Sequence, residues 1–343
     1  MKTRAALLGV ALCAAVCFAG VPATLCAAEQ SIDIKITTIQ MKHQQCGVGI
    51  ERLAKYINAD PKLKDKVRVR TYPAAQLYTG NEEIQALMKG EIQMSYIIAS
   101  PLDFVDPATQ VIKLPYMYPN LDIGYKIMDG PIWKKLCARL ETKNIGMLGI
   151  VSSGTVIVSN SKRPVRKVED FKGLKLRSYG PMGASTIKGL GAMAVVTASE
   201  ETYSALQQGV IDGAHTPATV FLARKYYDVQ KYATNPGPMS ATFVYLIANY
   251  PWWSKLPNDV RTGLQTAIDR LIKEQRAEIE VEDQKIFEQI AAKGVQVVTL
   301  TPAEQESWKK ALQIVYQEFS AEIGPDVIKE TQQEVERLTK TKK

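Results

Sequence analysis

The chain is predicted to be an α/β protein built in two consecutive halves. Three observations carry that prediction. Short segments of alternating apolar residues recur between segments with helical apolar spacing. The alternation breaks at Ser152, Ser153 and Gly154, then starts again. Residues 171–217 read as strand, helix, strand, helix, strand with hardly a spare residue. Regular strand–helix alternation of this kind builds parallel sheet.

Ile32, Ile34 and Ile36 alternate with polar residues and form the first strand. Ile50, Leu53, Ala54 and Ile57 share one side of the helix that follows. Residues 67–72 are the second strand. Asn81, with Glu82 and Glu83 in its first turn, opens a helix that Gly90 ends. Residues 92–98 form a third strand. Beyond a proline-rich turn at 114–119, one helix carries Ile127, Trp133, Leu136 and Leu140, and residues 145–151 return to strand. The small residues 152–154 mark the first crossing between domains.

In the second half, Leu174 and Leu176 alternate with charged neighbours, as a half-buried strand requires. Thr197, Ala198, Ser199 and Glu200 have capping-box spacing and open a helix whose Tyr203, Leu206 and Gln207 share a face. Tyr203 is assigned to packing. Gly209 ends this helix, and residues 210–214 form the next short strand. An apolar strand at 242–248 marks a second crossing. Residues 257–292 then form a helix far longer than the usual length of about 11 residues. Residues 295–300 are a last strand, and Thr301, Pro302 and Glu304 cap the start of the closing helices.

Composition bounds the function. Lys2 and Arg4 precede an apolar run of 17 residues and the small-residue stretch Cys26-Ala27-Ala28, the layout of a secretory signal cleaved before Glu29. Removing residues 1–28 leaves 315 residues, enough for two domains, and lowers the net charge from +8 to +6. That surplus is spread along the chain, which argues against a nucleic-acid surface. Of five cysteines only Cys46 and Cys137 remain, and two cysteines far apart do not establish a disulfide. With two histidines in the chain, no cluster has metal-ligand spacing. Nucleophile elbow, phosphate loop and dinucleotide fingerprint are all absent, so no cofactor is implied and the chain is not expected to be an enzyme.

One residue draws attention instead. Arg177 stands at the exit of a strand in the unit 171–217. Such a position lies at the carboxyl edge of a parallel sheet, where open α/β folds bind small ligands. Its planar fork of donors matches a carboxylate as lysine cannot.

Four ordered motifs give this unit a wider context. They are Tyr72-Pro73-Ala74-Ala75-Gln76-Leu77 followed by Gly80; Leu114-Pro115-Tyr116; Gly173-Leu174-Lys175-Leu176-Arg177; and Glu201-Thr202-Tyr203-Ser204-Ala205-Leu206-Gln207-Gln208-Gly209-Val210-Ile211-Asp212-Gly213 with Pro217. In these the chain resembles the solute-binding proteins of TRAP (tripartite ATP-independent periplasmic) transporters, the dicarboxylate-binding, DctP-type family, over nearly its whole mature length. The resemblance implies a two-lobed periplasmic binding protein fold, with a long domain-spanning helix and a ligand cleft between lobes. Lobe I is expected over 29–151 plus about 243–285, and lobe II over 152–242 plus about 286–335. The implied activity is capture of a small organic acid in the periplasm and delivery to TRAP permease subunits driven by an ion gradient. A homodimer, which some members form through terminal helices, stays open. Two other readings share the scaffold: a sensing subunit that presents a solute to a membrane receptor, and a periplasmic hydrolase.

The resemblance makes Arg177 the carboxylate clamp. Thr216 stands where many members carry an asparagine, with His215 before it; Thr155 stands where many carry a second arginine; and Ser199 replaces a common aromatic. These departures count against a sialic-acid-like sugar acid. The loop after the first strand offers His43 and Gln44 to a polar substrate. Tyr96, Tyr179 and Phe243, together with Tyr118, are candidate aromatic walls.

Overall fold

Alternation becomes a single mixed sheet. The computed structural model describes residues 31–98, 100–197 and 201–340; the expected leader and the cap around Ser199 lie outside the described residues. The sheet has ten strands: β1 (Ile32–Thr37), β2 (Val67–Tyr72), β3 (Met94–Ile98), β4 (Ile145–Asn160), β5 (Lys175–Ser178), β6 (Met193–Val196), β7 (Gly213–Pro217), β8 (Tyr232–Asn235), β9 (Ala241–Asn249) and β10 (Gln296–Thr299). At one end the order is β2-β1-β3-β9-β4, with β1 parallel to β2 and β3, and β9 antiparallel to both its neighbours. At the other end β5 lies between β6 and β7, parallel to both, and β7 runs antiparallel to β4. There β4 also pairs with β8, which in turn holds β10.

The helices follow in chain order: α1 (Gln45–Ala59), α2 (Gly80–Lys89), α3 (Ser100–Val105), α4 (Leu121–Met128), α5 (Pro131–Glu141), α6 (Gly180–Gly189), α7 (Thr202–Gln207), α8 (Ala218–Ala223), α9 (Tyr250–Lys255), α10 (Asn258–Ala292), α11 (Pro302–Ala311), α12 (Gln313–Ile323) and α13 (Pro325–Lys340). The 35-residue α10 is the long helix expected, about 50 Å from end to end. Its Leu264, Ile268 and Leu271 pack in one core with Ile50 and Leu53 of α1 and Ile34 and Ile36 of β1. Its last turns place Ile286 and Ile290 in another core with Ile157, Leu206 and Phe221. One helix therefore closes the apolar faces of both ends of the sheet.

Three elements differ from expectation, each for a local reason. The helix predicted around Ile127 and Leu140 is two helices, because Pro131 supplies no N–H and disfavours helical backbone at Gly130. The α2 cap is Thr79 rather than Asn81: the Glu82 carboxylate accepts from the Thr79 backbone N–H at 3.1 Å and from its hydroxyl at 2.5 Å. The strand expected at 210–214 begins at Gly213, because Val210 N–H still closes the turn onto Ala205 C=O at 3.0 Å. That shift places His215 and Thr216 inside β7.

The largest departure concerns the expected interruption at 152–154. The strand does not stop. β4 continues through these residues, pairs with β9 as far as Thr155, and with β7 from Val156 onward. The small residues form a bulge, a register shift between Ser152 and Thr155. Gly154 sits there at φ +91°, where a side chain would approach Asp283 Oδ1 to 2.8 Å.

The bulge is tied down on all sides. Asp283 of α10 accepts from the Thr155 N–H at 3.1 Å and from its hydroxyl at 2.9 Å. The Gln45 side chain donates to Ser152 C=O at 2.8 Å and accepts from the Ser153 hydroxyl at 2.5 Å. Thr219 donates to Ser153 C=O at 3.0 Å. About two turns earlier on α10, Arg276 donates to Ile150 C=O at 3.0 Å and forks onto Asp129 at 2.6 and 2.9 Å.

Glu83, placed by the sequence in the first turn of a helix, is buried in the structure. It lies on the same face of α2 as Ala86 and Leu87, and it is 1% exposed beside the hydroxyls of Thr37 and Ser95. Burial raises its pKa from 4.5 to about 7, against the lowering effect of those hydroxyls. Cys46 is buried and Cys137 half-buried, and both are free thiols. Among the described residues no helix is long and apolar enough to cross a membrane.

Gly154→Ala combines left-handed strain with the approach to Asp283, and we expect a loss of about 1–3 kcal/mol in urea unfolding. A loss below about 0.5 kcal/mol would show that the bulge accepts a side chain. For Glu83, the folded chain keeps a proton between pH 4.5 and 7 that the unfolded chain has released. Stability therefore falls as pH rises through that window, by about 3 kcal/mol in full. Glu83→Gln is neutral throughout, so it should raise the melting temperature relative to the parent at pH 8 and not at pH 4. Equal effects at the two pH values would show that Glu83 does not titrate there.

Candidate functional site

Strands β5, β6 and β7 run in parallel, so their carboxyl ends share one edge of the sheet. Arg177 lies near that edge on the central strand, level with Val195 of β6 and Ala214 of β7. Continuing the register brings Ser178 level with His215 and Tyr179 level with Thr216. The placement follows from the sequence: Leu174 and Leu176 anchor the strand in the apolar core, and Gly180, at φ +82°, turns the chain sharply into α6.

Arg177 is only 5% exposed, and its Nε–H donates to the Thr197 C=O at 3.2 Å. Its guanidinium stands 5.4 Å from the centre of the Tyr179 ring. The Tyr179 ring stacks on the imidazole of His215, with centroids 5.6 Å apart and planes 9° from parallel. Three of the expected ligand contacts are thus brought together on one aromatic ring, and Thr216 follows directly on β7.

The polar groups of this edge are poorly served from within the protein. Nδ1 and Nε2 of His215, Oγ1 of Thr216 and Oγ of Ser178 are buried and find no hydrogen-bond partner among the described residues. More than nine in ten buried polar groups in folded proteins do find one, so these exceptions leave hydrogen-bonding capacity open at this edge. Burial, with the Arg177 charge adding to it, pushes the His215 pKa down from 6.5 to about 4, which keeps the imidazole neutral at physiological pH. Burial also pushes the Tyr179 phenol up, so that it stays protonated; Arg177 opposes this only in part. Among the described residues, the site sets the buried Arg177 cation beside the neutral hydrogen-bonding groups of Tyr179 and His215. It suits an anion that also carries polar substituents. Among the described residues no group of acids, histidines and cysteines could hold a metal ion.

The remaining expected contacts lie elsewhere. His43 is exposed in the turn before α1. Gln44 directly precedes that helix, and its Oε1 accepts from Met41 N–H at 2.8 Å. Tyr96 is fully buried and donates to Gln275 Oε1 of α10 at 2.6 Å, so it serves packing between β3, α1 and α10. Phe243 is core in β9. Both hydrogen-bonding groups of Thr155 go to Asp283. Tyr118 lines a separate groove of about 780 Å³ with Tyr116, Tyr316, Lys309 and Lys340, which includes none of the residues around Arg177. Ser178 was missed by the sequence reading. The alternation of the 174–178 strand was the available signal, because it sets Ser178 one residue beyond the arginine at the strand's open end.

Comparison with known proteins places this geometry. Residues 39–322 match the DctP family, described as bacterial extracellular solute-binding protein, family 7. The C4-dicarboxylate-binding periplasmic protein DctP of Rhodobacter capsulatus is 32% identical over 277 residues, 79% of this chain and 81% of that protein. A TRAP periplasmic solute-binding protein from Ochrobactrum anthropi, solved with its C-terminus bound in the ligand-binding pocket, superposes with a TM-score of 0.83 at 26% identity, covering 91% of this chain and 97% of that one. Another, from Sulfurospirillum deleyianum with bound succinate, gives 0.77 at 29% identity, covering 88% and 98%. The α/β architecture with its long helix is that of the TRAP periplasmic binding proteins. The match over most of the chain, in sequence and in fold, makes this protein a member of the family 7 bacterial extracellular solute-binding proteins.

Proposed function

We propose that this chain binds a small organic acid in the periplasm, holds its carboxylate on Arg177, and delivers it to a TRAP-type permease driven by an ion gradient. The observation that carries the reading is the buried Arg177 at the carboxyl edge of β5–β7, near buried polar atoms that find no partner among the described residues. The succinate held by the Sulfurospirillum protein and the C4-dicarboxylates named for the Rhodobacter one are acids of this kind. The role is binding and not catalysis.

The two ends of the sheet act as two lobes, one over 29–151 with about 243–285, the other over 152–242 with about 286–335. The bulge in β4 is the hinge between them, with α10 as the stiff element behind it. Closure of the lobes buries the ligand, which strengthens the arginine–carboxylate pair well beyond the 0–1 kcal/mol of an exposed pair. The closed state presents a surface that the permease distinguishes from the open one.

Titration calorimetry of the purified chain with succinate, malate and other small carboxylates tests the arginine. Arg177→Ala should weaken binding of an acid ligand at least 30-fold, on the order of the 2–5 kcal/mol that truncation of one partner of a buried charge pair costs. Arg177→Lys keeps the charge but loses the fork, and should weaken it by about tenfold. Unchanged affinity in Arg177→Ala would remove Arg177 from the site.

A further inference from the structure

We propose that His215 is a specificity-determining residue: it hydrogen-bonds a hydroxyl group that the ligand carries beside the carboxylate held by Arg177, so the chain prefers hydroxy acids to their unsubstituted counterparts. This inference rests on the acid-binding reading above and adds to it the second half of the ligand.

The geometry supplies the argument. Arg177 and His215 meet the same Tyr179 ring, the first at 5.4 Å from its centre and the second stacked at 5.6 Å, and the Arg177 charge is felt at the imidazole. The imidazole is 3% exposed, and neither nitrogen has a hydrogen-bond partner among the described residues. A histidine wanted only for stacking would be served by a phenyl ring at less cost, because a buried polar atom without a partner carries its full desolvation penalty. A neutral imidazole offers one N–H donor and one bare nitrogen acceptor. Burial and the neighbouring Arg177 keep it in that form. A carboxylate can serve only the N–H. A hydroxyl both donates and accepts, so it satisfies whichever nitrogen faces it. Charge recognition and hydroxyl recognition are thus divided between two adjacent strands.

Two matched pairs of acids differ by hydroxylation alone: malate with succinate, and glycerate with propionate. Calorimetry on the purified chain should show the hydroxylated member of at least one pair bound about tenfold more tightly, the size of one hydrogen bond into a buried site. His215→Phe keeps the stack on Tyr179 and removes both nitrogens. It should reduce that preference to less than about twofold, with the unsubstituted acid little affected. A second measurement needs no substitution at the site. The chain has two histidines, and His43 is exposed, so ¹⁵N-histidine labelling resolves both imidazoles, with His43→Asn assigning them. The hydroxy acid should move the ring-nitrogen resonances of His215 further than its unsubstituted partner does. Equal affinities within both pairs, a preference that survives His215→Phe, or identical His215 shifts with both members would overturn the proposal while leaving the acid site standing. If His215→Phe fails to fold, the resonance shifts decide. If none of the four acids binds, the acid reading falls and this inference falls with it.

Discussion

The carboxylate of Asp283 on the Thr155 backbone is the contact on which the two ends of this molecule depend. β4 is the strand that passes from one end of the sheet to the other, and it must change partners from β9 to β7 on the way. At that change the ladder slips, and a buried N–H without a partner would cost about 1–3 kcal/mol. Asp283 supplies the missing acceptor from α10, which packs into the cores of both ends. Burial raises the Asp283 pKa, opposed by the two Thr155 donors. The same helix that closes the cores therefore also holds the passage between them. A hinge needs such a fixed point: a place where the backbone can turn without losing its hydrogen bonds.

The candidate site shows a second economy. Among the described residues, Arg177 at the carboxyl edge of β5–β7 stands beside neutral His215 and Tyr179. Low polarity around Arg177 raises the strength of any charge pair formed there. The neutral donors and acceptors of His215, Thr216 and Ser178 remain for the uncharged parts of a ligand.

Much of this was legible in the chain before the structure. β1, β2 and α10, together with the cap at Thr301, lie where apolar period and capping chemistry put them. Arg177 stood out because a strand with anchoring leucines at 174 and 176 must present residue 177 near its open end. What failed to show were features set by partners distant in the chain. The bulge looked like a break because Ser152, Ser153 and Gly154 have weak strand preference, while β9, β7 and Asp283, which hold them extended, lie 60 to 130 residues away. Glu83 looked like a helix-start acid, although its spacing from Ala86 and Leu87 put it on the apolar face. Tyr96 looked like a pocket wall, but Gln275 takes its hydroxyl from 179 residues away.

By itself, then, the chain determined its α/β class, the long helix, the arginine at a strand exit and the family to which these belong. Each of these is a local matter of period, capping and side-chain chemistry. Only the tertiary structure decided which residues share the arginine's surroundings. The three-residue shift of β7 brought His215 and Thr216 into the ladder, level with Ser178 and Tyr179, and the register then stacked the imidazole on the tyrosine ring. Strand register is a property of pairing, and a slip of one residue would turn every side chain of β7 to the opposite face. The clamp was visible in one strand; the wall beside it exists only where two strands meet.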